Sequence, residues 1–271
     1  MTSLNKLNKE KANIEKAALQ IRAAYNTQTP CAPVRNILAE NCLASAYAVQ
    51  KLNTEHWVKQ GRRIVGVKAG LTSKTVQTQL GVDQPDFGVL YADMFIAEGE
   101  KIALDAILQP KVEAEVALVL KSDITVKNPT IVDVINATDY VLPAIEIVGS
   151  RIESWNINIV DTIADNASSG LFVLGSKPTQ LADVDLRLCG MVMERRGEQI
   201  STGAGQACLG NPLNAAAWLA KTFVENGTPL RAGDILLTGA LGPMVPVAPG
   251  DNIEARISGL GSVTVSFAKE N

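Results

Sequence analysis

The chain has 271 residues, 46% of them hydrophobic and 20% charged, with a formal net charge of -3 and a pI near 5.4. That size and composition suit a sizeable core in one large domain or two small ones, while the mild acidity and an aromatic content of 4% argue against nucleic acid as a partner. No stretch offers the roughly 18 uninterrupted apolar residues of a membrane span, and the charged opening MTSLNKLNKEKANIEKAALQIRAAY lacks the apolar run of a signal peptide, so a cytoplasmic location without a membrane partner is expected.

In chain order, residues 4–25 set Leu7, Ile14, Ala18 and Ile21 at helical spacing, a Thr-Pro-Cys-Ala-Pro stretch breaks the pattern, and a second helix is expected over Leu43–Lys59. These elements make an N-terminal helical region over residues 1–62. From Arg63 onward, residues 63–271 read as strands and turns: IVGVKAG, FGVLYA, VEAEVALVL, AIEIVG, GLFVLG, LRLCGMVMER, DILLTGA, NIEARI and SVTVSF. Two helices are expected among them. One is TIVDVINATDYV; the other is NPLNAAAWLAKTFVENG, where Asn211 can cap, Pro212 suits the first turn and Gly227 the stop. Many strands with few helices predict an α+β fold on a rolled, barrel-like mixed sheet rather than a doubly wound parallel one.

Several chemistries are disfavoured by what the sequence lacks. Cys31, Cys42, Cys189 and Cys208 are scattered without a C-x-x-C pair, which suggests reduced thiols rather than a zinc site or a disulfide framework. The single histidine, His56, stands beside Trp57 at the end of the second expected helix and reads as a surface or packing residue. With one histidine, a Ser-His-Asp triad or a multi-histidine metal site is hard to build. The run GAGQACLG at 203–210 has neither G-x-G-x-x-G spacing nor a P-loop pattern. No nucleotide cofactor is expected, and Gly203, Gly205 and Gly210 read as turn residues.

The segment QPKVEAEVALVL, residues 109–120, is the most informative. Val112, Ala114, Val116, Leu118 and Leu120 share one face of a period-two strand, and Glu113 and Glu115 share the other, with Cα atoms about 6 to 7 Å apart. Two carboxylates so close repel, and burying them unpaired is expensive. A hard divalent cation such as Mg²⁺ or Mn²⁺ between them removes both problems; the plainer reading is a strand with one solvated face. Further along, YVLPAIEIVGSRI sets a lone Glu146 between Ile145 and Ile147.

The order of E-x-E, a helix, LPAIEIVGSR and the polar run DTIADNASSG resembles the fumarylacetoacetate hydrolase superfamily. Within it the chain is most similar to the 2-keto-4-pentenoate (2-hydroxypentadienoate) hydratase / 4-oxalocrotonate decarboxylase family, the hydratases in particular. The motifs VGVKAGLTSKTVQTQLGVDQPDFG, QPKVEAEVALVL, LPAIEIVGSRI, DTIADNASSG, CLGNPLNAAAWLA and LTGALGPMVPVAPGD stand in that family's order, and the likeness spans about Arg63 to Phe267. The resemblance implies Glu113, Glu115 and Glu146 as ligands of Mg²⁺ or Mn²⁺. It implies Lys68, Asp86 and Ser168 as catalytic residues, with Asp165 and Asn166 supporting them and Thr238 and Gly239 lining the substrate carboxylate. The implied reaction converts 2-hydroxypenta-2,4-dienoate to 4-hydroxy-2-oxopentanoate, by protonation at C5 and addition of water at C4. A decarboxylase acting on 4-oxalocrotonate is the alternative, and a non-catalytic partner subunit a further one. The family also implies a small 2-oxo or 2-hydroxydienoate substrate, self-association and a complex with a related decarboxylase. The first 60 residues match only loosely, and no functional residue is expected there.

Overall fold

A computed structural model of the chain describes residues 3–38, 42–80 and 82–269. Helices α1 (Ser3–Thr27) and α2 (Leu43–Lys59) precede strand β1 (Ile64–Gly70), helix α3 (Lys74–Leu80), and strands β2 (Asp86–Tyr91) and β3 (Lys101–Ile102). The long strand β4 (Lys111–Leu120) leads through α4 (Ile131–Ala137) into β5 (Thr138–Val148), followed by α5 (Ile159–Ala164) and β6 (Leu171–Leu174). The last part comprises β7 (Gly190–Arg195), β8 (Glu198–Ala204), α6 (Pro212–Glu225), β9 (Ile235–Ala240), β10 (Val245–Pro246), β11 (Asn252–Ile257) and β12 (Gly261–Phe267).

The strands form two sheets. The larger runs β2-β1-β9-β4-β5-β6 with β10 added along β4, and it is mixed, because β1 and β9 are parallel while the other pairings are antiparallel. The smaller runs β3-β12-β11-β7-β8. The main core lies between the sheets: Val112, Ala114, Val116 and Leu118 of β4 and Ile145 and Ile147 of β5 face Met193, Ile253, Ala255 and Val263 of the second sheet. Ala215, Ala216 and Leu219 bring α6 into the same core, with Asn211 capping the helix and Pro212 in its first turn. The architecture is the α+β mixed-sheet fold that the pattern predicts.

The opposite face of the larger sheet is covered by the helical region. Ala17, Ala18 and Ile21 of α1, Ala46 and Val49 of α2, and Ile159, Val160 and Ile163 of α5 form a separate cluster above it. Leu7, on the same expected stripe, is 60% exposed, because only the second half of α1 lies on this cluster. Among the described residues no helix is long and apolar enough to cross a membrane.

Four local expectations need correction. The helix expected over TIVDVINATDYV stops at Ala137, and Thr138, Tyr140 and Val141 instead extend β5 by pairing with Leu120, Val119 and Leu118. A β-branched and aromatic run beside a long partner strand is worth more in the ladder than in a further helical turn. The expected strand LRLCGMVMER begins only at Gly190, since Cys189 N–H closes a turn onto Asp185 O. Helices α3 and α5 add to the two expected among the strands. Gly203 lies in β8, and both Gly203 and Gly205 are required by close backbone approach, since a Cβ would strike the Leu241 and Leu186 carbonyls; Gly210, with φ +81°, is a turn glycine.

Candidate metal centre

The antiparallel register of β4 and β5 sets Glu113 directly opposite Glu146, and Glu115 follows two residues along on the same face. Because the alternate residues of both strands are locked into the intersheet core, the three glutamates have one direction left to point. Each offers a carboxylate oxygen such that the three atoms lie within 4.8 Å of one another. Glu115 is fully buried, Glu146 is 1% exposed and Glu113 is half-buried, so the face that carries the E-x-E pair is largely closed rather than solvated.

Lys68 enters from β1, which lies between β2 and β9 rather than at an edge, and its side chain is equally buried. Its Nζ stands 3.1 Å from Glu146 Oε2 and donates to Ala167 O at 2.9 Å. Burial on its own would lower the lysine pKa, but Glu146, Glu113, Asp86 and Glu115 together reverse this and hold the ammonium charged. Asp86, the first residue of β2, pairs with Gly70, and a Cβ at Gly70 would collide with its Oδ1. Its carboxylate is 1% exposed and neither oxygen has a hydrogen-bond partner. Burial pushes its pKa up to about 6, with the positive charge of Lys68 pulling the other way.

One lysine does not balance three glutamates. Burial, then repulsion from Glu146, raises Glu113 to about 7; burial, Glu146 and Glu113 push Glu115 well above the usual carboxylate range. Burial also raises Glu146, against the attraction of Lys68. Glu115 Oε1 and Glu146 Oε1 are buried acceptors without a hydrogen-bond partner. Orphaned anionic oxygens converging on one point fit a small divalent cation with oxygen ligands, Mg²⁺ or Mn²⁺, which would cancel the repulsion and satisfy those lone pairs.

The lid of this cluster is a left-handed turn following α5. Asn166, Ala167 and Ser168 have φ of +54°, +52° and +55° in succession, a conformation that L-residues adopt at a cost and that the surroundings must enforce. Asn166 supplies one restraint, accepting from Val89 N at 2.7 Å and donating to Val89 O at 2.9 Å. Arg151 supplies another, donating to Asp165 through Nε and its own backbone N–H and to Ser169 O at 2.8 Å. As a result the Ala167 carbonyl meets Lys68, and the Ser168 hydroxyl lies 3.2 Å from that of Thr162. Asp165 and Asn166, expected as supporting residues, are the two anchors of this turn.

Thr238 and Gly239 are committed to protein partners: the Thr238 hydroxyl donates to Val116 O at 2.9 Å, and the Gly239 N–H to Glu115 Oε2 at 2.7 Å. The sequence carries no signal for the Ala167 carbonyl, which has no side-chain signature, or for the contribution of α2, and Gly239, expected to line the substrate carboxylate, instead donates its N–H to Glu115. Tyr47 of α2 stacks on Phe87 at 4.5 Å between centroids, and Gln50 donates to Phe87 O at 2.8 Å and Ile163 O at 3.1 Å, bracing the start of β2 beside Asp86. His56, by contrast, packs edge-on against Trp57 and lies outside the cluster. A cavity of about 50 Å³ lined by Arg22, Asn53, Trp57, Arg62, Asp165 and Asn166 lies behind the left-handed turn, beneath α1 and α2, and is lined by none of the three glutamates, Lys68, Asp86 or Ser168.

The chain is similar to known proteins in sequence and in fold. The fumarylacetoacetate hydrolase C-terminal model matches residues 48–268. A 2-keto-4-pentenoate hydratase of Dechloromonas aromatica is 58% identical over 254 residues, covering 94% of this chain and 97% of that protein. The 2-keto-4-pentenoate hydratase of Paraburkholderia xenovorans is 54% identical over 253 residues, covering 93% and 94%. Among solved structures, 4-oxalocrotonate decarboxylase from Pseudomonas putida G7, complexed with magnesium and adipate, matches with a TM-score of 0.90 at 38% identity, covering 95% of this chain and 98% of that one. Fold, motif order and near full-length identity agree, and the chain belongs to the fumarylacetoacetate hydrolase family.

Proposed function

We propose that this chain is a divalent-metal-dependent hydratase that converts 2-hydroxypenta-2,4-dienoate and water to 4-hydroxy-2-oxopentanoate. The observation that carries the chemistry is the convergence of three carboxylates, two of them buried and that of Glu113 half-buried, and one buried ammonium on one sheet face, with carboxylate oxygens left unpartnered. The choice of substrate follows the hydratases at 54–58% identity over the decarboxylase at 38%.

In this reading Glu113, Glu115 and Glu146 hold Mg²⁺ or Mn²⁺, which when bound acts as a Lewis acid and template for a 2-oxo acid. The chemistry requires the 2-hydroxyl proton to leave and a proton to reach C5, after which the hydroxide of water bonds to C4 and a proton goes to C3. Lys68, kept cationic and fixed by Ala167 O, is a stationary donor facing the negative charge that grows on the substrate oxygen. Asp86, with a pKa of about 6, exchanges protons near neutral pH. The Ser168 hydroxyl, paired with Thr162, orients substrate or water. Residues 1–62 form a helical region that braces residues 63–271, the catalytic domain. The chain works as a homo-oligomer and in complex with a related decarboxylase.

The decarboxylase reading is kept by the TM-score of 0.90 to the magnesium-bound 4-oxalocrotonate decarboxylase. Purified chain with Mg²⁺ or Mn²⁺ is offered each substrate separately. Consumption of 2-hydroxypentadienoate supports the hydratase. CO₂ release from 4-oxalocrotonate alone overturns it, and turnover only after a partner is added assigns a supporting subunit instead. Light scattering of the isolated chain and of a mixture tests the two assemblies.

A further inference from the structure

Three charged side chains alternate along one face of β4, and only two of them belong to the carboxylate cluster. The third is Lys111, two residues before Glu113 and therefore on its face, at the end of β4 where Val148 and Pro246 pair with it. Its ammonium lies 4.3 Å from the centroid of the Trp155 ring. Trp155 is itself held in place: its Nε1 donates to Gln109 O at 2.9 Å, and Ser154 and Trp155 both keep a left-handed backbone, φ +54° and +52°. Such strain persists only where the surrounding structure imposes it, and it gathers at working sites. Among the described residues no carboxylate oxygen lies within 4.0 Å of the Lys111 ammonium, whereas Lys68 is sunk among the glutamates. Lys111 is thus a half-buried cation seated on an aromatic face at the rim of the cluster, oriented but not neutralised.

We propose that Lys111, presented by Trp155, captures the carboxylate of the incoming substrate at the rim of the metal centre and sets the site's preference for anionic 2-oxo acids. This rests on the reading of the cluster as a metal centre for such an acid. A rim charge acts on encounter and on salt dependence more than on the chemical step. The competing role is local: Lys111 would merely offset the charge of Glu113.

The test compares wild type with Lys111→Gln and Lys111→Arg. Steady-state constants for 2-hydroxypentadienoate are measured at low and high ionic strength, and oxalate and Mn²⁺ binding are measured by calorimetry. For Lys111→Gln the expected result is a KM raised about tenfold with kcat within about twofold, a flattened salt dependence of kcat/KM and a parallel loss of oxalate affinity, with Lys111→Arg recovering most of each. Mn²⁺ affinity without oxalate stays level or tightens. Unchanged KM and oxalate affinity in Lys111→Gln overturn the proposal, as does weakening that follows a loss of Mn²⁺ affinity. If wild type turns over no 2-hydroxypentadienoate, the hydratase reading fails, while the oxalate titration still decides the role of Lys111.

Discussion

Asp86→Asn separates a catalytic role from a structural one, because the two move in opposite directions. The Asp86 carboxylate is 1% exposed with no hydrogen bond to either oxygen, and burial lifts its pKa from 3.8 to about 6. Below the lower value both the native and the unfolded chain hold the proton, so Asp86 does not alter stability. Between the two values the unfolded chain releases its proton and the native chain keeps it, so stability falls as pH rises. Above about 6 the loss is complete, amounting to about 3 kcal/mol at about 1.4 kcal/mol per tenfold change in proton affinity. Asp86→Asn, isosteric and uncharged, therefore raises the unfolding free energy at neutral pH by up to about 3 kcal/mol, a figure already net of the attraction to Lys68, and flattens its decline between about pH 4 and 6. The same change removes the proposed proton-exchanging group and lowers kcat by about 10²- to 10⁴-fold. Urea unfolding of metal-free protein at about pH 4 and about pH 7.5 checks the first effect, and turnover checks the second. A variant less stable than wild type at neutral pH, or one that retains kcat, refutes the reasoning.

Further outcomes follow from the same geometry. Glu115→Gln keeps an acceptor for the Gly239 N–H while removing a charge, so Mn²⁺ affinity falls at least about tenfold as metal-free stability rises, read by calorimetry and thermal unfolding. Asn166→Ala strips both partners from the Val89 backbone and releases the left-handed turn; a loss of about 2 to 4 kcal/mol in urea unfolding is expected, with kcat falling because Lys68 loses its fixed carbonyl. Gly70→Ala drives a methyl group into Asp86 Oδ1, so kcat drops while Mn²⁺ affinity, measured by titration, stays within about twofold.

The face of β4 was legible because its five aliphatics alternate without interruption, and a period of two fixes where the intervening glutamates point. Glu146 opposite Glu113 was reachable only through family likeness, since cross-strand register is a long-range property that one strand's pattern does not encode. Burial of Lys68 follows from the position of β1 in the sheet order, which the strand IVGVKAG does not reveal. DTIADNASSG reads as a polar turn because Asp, Asn and Ser favour turns, yet it contributes a helical turn and then a left-handed one held by Val89 and Arg151 from elsewhere in the chain. The same tertiary override drew Thr138 to Val141 from helix into β5. The helical region carried no motif, and its contribution is packing behind Asp86 through Tyr47 and Gln50, which only the assembled fold brings together.

The most direct measurement titrates metal-free protein with Mn²⁺ while following bound metal by electron paramagnetic resonance and turnover of 2-hydroxypentadienoate in the same samples, for wild type and Glu146→Gln. In wild type, activity should rise in step with one ion bound per chain, and in Glu146→Gln both should be lost together. Full activity after chelation, or Mn²⁺ binding indifferent to Glu146, would contradict a metal centre built from these three glutamates.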